Sequence, residues 1–146
     1  VALTTDDIYA TFESLGLRNT RPRRLIAEKL ADIAASERDF ATDELWVELK
    51  QSDPELGRAT VFRAVDLLVE QGILDRVTFA DGTHRYRACG TGAHHHHVTC
   101  VQCHRVVDIE ACLAPEVLDA IARTTDFALE GHTLEVFGRC PSCRAT

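Results

Sequence analysis

The chain has no apolar run approaching the ~20 residues of a membrane span, so a membrane-spanning helix is not expected. No secretory signal opens it: "VALTTDDIYATFESLG" carries early acids and no apolar core, and the cytoplasm is the expected compartment. Repeats of about 20–50 residues are absent, which excludes a solenoid. An excess of basic residues is also missing. Lys and Arg number 16 against 23 Asp and Glu, for a formal charge of −7, which argues against a non-specific polyanion binder. The deficit is not uniform, because "RNTRPRR" at 18–24 holds four arginines and no acid. A local basic patch can still track phosphates, since screening leaves only nearby charges in play.

What is present fits a globular chain of 146 residues, 45% hydrophobic and 27% charged, enough for one ordinary domain or two small ones. Apolar spacing predicts a helix over 6–15, capped by Thr5, with Ile8, Phe12 and Leu15 on one face. Thr20 and Pro22 open a second helix carrying Leu25, Ile26, Leu30 and Ile33. A third starts at Thr42, has Asp43 and Glu44 in its first turn, and turns Leu45, Trp46 and Leu49 inward. A fourth runs over 58–71 on Val61, Val65, Leu68 and Val69, and stops at Gly72. "ILDRVTF", "ADG" and "THRYRA" then read as a β-hairpin. Helices followed by a hairpin suit a winged helix-turn-helix, and equally any small α+β domain. "CGTGA" reads as a hinge. Beyond it, "HVTC", "RVVDIE" and "LEGHTLEVFGRC" read as strands, with a helix over 115–125. This unit of some 55 residues is too small for a strong core and needs a staple, a partner subunit, or both.

Six cysteines in such a chain point to metal or redox chemistry before structural disulfides. Cys100-Val-Gln-Cys103 and Cys140-Pro-Ser-Cys143 are two CxxC knuckles at opposite ends of the second unit. Together they form the four-thiolate set of a closed structural zinc site. A redox CxxC opens a helix after a strand, whereas these are expected at strand ends. Of the two remaining cysteines, Cys112 reads as a small buried hydrophobe, and Cys89 lies at the hinge.

Four consecutive histidines follow, His94 to His97. In an extended segment alternate side chains face opposite ways. His95 and His97 can therefore serve one centre, and His94 and His96 another. A solvated polar loop is the competing reading.

"RATVFRAVDLLVEQGIL", "HRYRACGTGAHHHHVTCVQCHRVVDIE" and "GHTLEVFGRCPSC", in this order and spacing, resemble the ferric uptake regulator superfamily of bacterial metal-sensing repressors. The likeness extends over nearly the whole chain and is nearest to the zinc uptake regulator branch. It implies an α+β fold: a winged-helix DNA-binding domain over 1–87, a hinge over 88–93, and a metal-binding dimerisation domain over 94–146. It also implies a homodimer on palindromic double-stranded operator DNA, with one structural and one or two regulatory zinc ions per subunit, and no membrane partner. The sensor set it implies is Asp75, Cys89, His95 and His97. Iron and peroxide sensors usually carry a carboxylate where Cys89 stands, and a thiolate favours zinc over ferrous iron. A third set is implied at His94, His96 and His132 with Glu116, Glu110 being the weaker carboxylate. Asp108 matches a carboxylate that some iron and peroxide sensors use.

On the DNA side, Arg58, Thr60, Phe62 and Arg63 open the fourth helix, where a recognition helix meets base edges. Phe62 stands where the family usually has Tyr, and a core role is its alternative. Arg18 matches a basic residue that enters a minor groove, and Arg23 is expected on phosphate. An iron- or manganese-sensing regulator and a zinc store or chaperone are the other readings. A zinc hydrolase is disfavoured, because a filled Asp/Cys/His/His set leaves no position for water and no HExxH pattern occurs.

Overall fold

The computed structural model describes residues 3–88 and 94–145. They form two compact units, one of residues 3–78 and 83–88, the other of 79–82 and 94–145. The order of elements is α1 (Thr5–Ser14), α2 (Arg21–Ala35), α3 (Thr42–Lys50), α4 (Arg58–Glu70), β1 (Leu74–Thr78), β2 (His84–Ala88), β3 (His96–Cys100), β4 (Val106–Ile109), α5 (Pro115–Thr125), β5 (Glu135–Gly138) and α6 (Pro141–Arg144). The fold class is α+β, as expected.

Each early helix starts where its chemistry allows. Helix α1 is capped by Thr4, one residue earlier than the pattern suggested. The Thr4 hydroxyl accepts from the Asp7 amide and the Asp7 carboxylate accepts from the Thr4 amide, a reciprocal pairing that satisfies two otherwise orphaned donors. Leu15, expected inside, is the C-cap of this helix and is exposed. Thr20 caps α2 by accepting from Arg23. In α3 the Glu44 carboxylate reaches back to the Ala41 amide at 3.2 Å. Gly72, just past α4, takes a positive φ of 74°, a conformation that costs a residue with a Cβ.

The first unit has a hydrocarbon core. Ile8, Phe12, Ile26, Leu30, Ile33, Leu45, Val61, Val65, Leu68 and Leu74 are almost fully buried there. Trp46 is half-buried and donates from its indole to the Leu56 carbonyl at 3.0 Å, holding the loop before α4. Strands β1 and β2 are antiparallel, with Asp75 opposite Arg87. Phe40 adds a bridge to Tyr86 by two backbone bonds.

The second unit is built differently. Its sheet has the order β4-β3-β5, with β3 antiparallel to β4 and parallel to β5. On the central strand β3 the buried side chains are His96, His97, Thr99 and Cys100. No residue of α5 is buried. Val117 and Ile121 of that helix, and Val107, Val136 and Phe137 of the sheet, are exposed. Strand β5 is shorter than expected: residues 129–134 have no regular structure, and His132 sits in that loop.

Candidate metal centres and nucleic-acid face

Cys100 ends β3, Cys103 lies in the turn after it, Cys140 is the N-cap of the short helix α6, and Cys143 lies within that helix. The second knuckle therefore does open a helix after a strand, so secondary structure alone does not exclude a redox CxxC there. The sulfur geometry discriminates instead. All four Sγ atoms lie within 4.8 Å of one another, and Cys103 Sγ is 3.7 Å from Cys140 Sγ. Zn–S bonds of about 2.3 Å in a tetrahedron imply sulfur separations of about 3.8 Å, so the set fits one zinc ion. The backbone prepares it. Amides of Cys103 and Cys140 point at Cys100 Sγ and draw its pKa down to about 5. A hydrogen bond with Cys140 pushes Cys143 up to about 12. Four thiolates this close would repel one another, so ionising all four calls for a cation between them.

The histidine run divides as alternation requires. His95 and His97 have rings 5.3 Å apart, while His94 and His96 face His132. His97 is buried between the two neighbouring strands. Its Nε2 is 3.6 Å from Asp108 Oδ1 on β4, and its Nδ1 is 3.6 Å from Glu135 Oε1 on β5. Both carboxylates are its register partners. Glu135 had no signature in the linear pattern, because only the parallel pairing of β5 with β3 puts it beside His97.

Of the other sensor candidates, Asp75 is half-buried on β1 in the first unit, and Cys89 lies outside the described residues.

His94, His96 and His132 converge, but their fourth companion is Cys112, with all four donor atoms within 4.8 Å of one another. Glu116, in the first turn of α5, and Glu110 are exposed and do not belong to this group. One expectation is thus corrected: Cys112 is exposed rather than buried. The donor that stands beside the three histidines is its thiol. The physical reason is the path of the chain. After β4 the irregular stretch 110–114 carries Cys112 to the histidines before α5 begins.

The six residues expected at DNA lie in the first unit. Arg58 is exposed but engaged: its guanidinium bonds the Asp43 carboxylate at 2.8 Å and lies 4.0 Å over the Phe62 ring. Phe62 is half-buried, so it is not part of the sealed core. Arg23 donates to the Arg18 carbonyl at 2.8 Å. With Thr60 and Arg63 it lines a groove of about 410 Å³ beside α1 and α4. Arg18 and Arg63 are exposed, and among the described residues neither pairs with a carboxylate.

Comparison with known proteins supplies the frame. The model of the ferric uptake regulator family matches residues 14–137. The ferric uptake regulation protein of Bacillus subtilis (strain 168) is 35% identical over 106 residues, covering 71% of each chain. A solved structure of holo XcZur is 27% identical, with a TM-score of 0.69 and 97% of each chain covered. The zinc uptake regulator complexed with zinc and DNA has a TM-score of 0.71 at 24% identity, covering 97% of this chain and 96% of that one, a likeness of fold. No described helix is long and apolar enough to cross a membrane.

Proposed function

The chain belongs to the ferric uptake regulator family and is a metal-dependent, DNA-binding transcriptional regulator rather than an enzyme; from that premise we propose that the ion it answers to is zinc and that it represses zinc-uptake and homeostasis genes. What carries this reading is the donor set that the family likeness assigns to the sensor. Cys89 with His95 and His97 would offer a soft thiolate and two imidazoles, and Asp75 one carboxylate. Sulfur and nitrogen donors favour zinc over ferrous or manganous ions. The four-thiol set fits a zinc staple for the second unit.

Asp75 stands on the hairpin of the first unit, and His95 and His97 stand on the second. A zinc ion held by all four sensor ligands would supply a crosslink between the DNA-reading unit and the dimerising unit. The second unit exposes Val117, Ile121, Val136 and Phe137, apolar surface that suits a second copy of the chain. In such a dimer, palindromic DNA needs two recognition helices about one helical turn of DNA apart. Fixing the hinge raises the population of that arrangement, and DNA must raise metal affinity in return.

A second reading, a ferrous or manganous sensor, rests on Asp108 and Glu135 at 3.6 Å from the His97 ring. Oxygen donors suit harder ions. Operator-binding titrations in buffered Zn(II), Fe(II) and Mn(II), on wild type and Cys89→Ser, separate the two. Zinc is expected to promote binding at submicromolar free ion, and Cys89→Ser to abolish that response. Binding promoted by iron or manganese but not by zinc would transfer the assignment to the second reading.

A further inference from the structure

We propose that Cys112 is a metal ligand, completing a one-thiolate, three-imidazole site with His94, His96 and His132 that selects borderline-soft divalent ions. The inference goes beyond the identity of the sensed ion and does not depend on it. Three separate stretches of the second unit meet here: β3 with the two residues before it, the coil after β4, and the loop before β5. Cys112 Sγ lies 3.3 Å from His94 Nε2, 3.2 Å from His96 Nε2 and 3.1 Å from His132 Nε2. The His132 Nε2 atom is 3.2 Å from that of His94 and 3.3 Å from that of His96.

These separations are nearly the edges of a tetrahedron. Zn–N bonds of about 2.0–2.1 Å imply about 3.3 Å between nitrogens, and a Zn–S bond of about 2.3 Å implies about 3.5 Å between nitrogen and sulfur. Hydrogen bonding alone explains the convergence poorly. A cysteine sulfur and three imidazole nitrogens aimed at one point bring lone pairs together, and each available proton can face only one neighbour. A cation at the centre satisfies all four at once.

The identity of the fourth ligand decides what the site takes. A carboxylate there would admit manganese or ferrous iron readily. A thiolate shifts preference toward zinc, and toward cobalt as its spectroscopic substitute. The geometry also explains how the unit tolerates an exposed cysteine: once coordinated, the sulfur is no longer a free nucleophile.

The test uses the full-length protein with its four-cysteine zinc in place. Alkylation of Cys112 by N-ethylmaleimide is followed by peptide mass mapping, with and without added zinc. Zinc is expected to slow modification of Cys112 by at least roughly tenfold. His132→Ala should restore the fast rate, Glu116→Gln should retain protection, and manganese at equal free concentration should give none. Retention of the structural zinc checks that each variant is folded. The proposal is overturned if zinc leaves Cys112 as reactive as before. It is equally overturned if Cys112→Ser binds the same number of zinc ions with unchanged affinity, or if Glu116→Gln removes the protection. None of these readouts involves DNA, so they are independent of the zinc-repressor reading.

Discussion

At the scale of single residues, the arginines of the first unit are not equivalent. Arg58 already has a carboxylate and an aromatic face to satisfy it. Binding a phosphate or base with Arg58 means giving up Asp43, which offsets part of the gain. Arg23 is occupied with the Arg18 carbonyl. Arg63 is exposed and has no ion pair among the described residues to surrender. Arg63→Ala is therefore expected to weaken operator binding by about 1–3 kcal/mol, or roughly 5- to 150-fold. Fluorescence anisotropy on operator and on scrambled DNA checks it. Equal losses on both would make Arg63 a phosphate contact, and no loss on either would remove α4 from the DNA face.

At the scale of elements, one side chain ties the hairpin to the helical layer. Arg85 on β2 bonds the Asp39 carboxylate at 2.6 Å and both oxygens of Glu44, on α3, at 2.9 and 2.8 Å. The Arg85 bond is the main cause that holds Glu44 below its ordinary value of 4.5. A depressed carboxylate contributes stability that is present above its unfolded value and is lost as pH falls through the folded one. Arg85→Ala should therefore cost the first unit about 1 kcal/mol at neutral pH. The gap from wild type should narrow below pH 4.5. Denaturant unfolding followed by Trp46 fluorescence measures both, and a gap that widens in acid would contradict the sign. The same unit shows why helix boundaries and the Thr20 cap could be read closely while the cap of α1 was displaced by one residue. A buried stripe such as Ile26, Leu30 and Ile33 is periodic. The choice of Thr4 over Thr5 depends on which hydroxyl meets the Asp7 amide.

At the scale of the whole molecule, the two units are stabilised by different physics. The first buries hydrocarbon. The second buries His96, His97, Thr99 and Cys100 on its central strand and no residue of α5. Buried polar side chains cost free energy unless they are satisfied, and here His96, His97 and Cys100 belong to clusters with the donors to hold a metal ion. Structural zinc contributes an apparent ~10–16 kcal/mol in small zinc domains, comparable with the ~5–15 kcal/mol that holds a typical domain folded. Cys103→Ser is accordingly expected to lower zinc content and make the second unit protease-sensitive, while the Trp46 unfolding transition of the first unit persists. Limited proteolysis with mass mapping would show this. A resistant second unit lacking zinc would mean that its packing suffices.

The linear chain by itself determined the α+β class, the four early helices, the hairpin, the pairing of the CxxC knuckles and the division of the histidine run. Each of these follows from local spacing: 3.6 residues for a helix, two for a strand, three for a knuckle. Tertiary structure alone decided the company those residues keep. Glu135 reaches His97 only because β5 runs parallel to β3. Cys112, rather than Glu116, reaches His94, His96 and His132 because an irregular stretch, which has no period to read, carries it there. A periodic pattern reports the face on which a side chain lies, and only the folded chain brings faces from distant segments to one point.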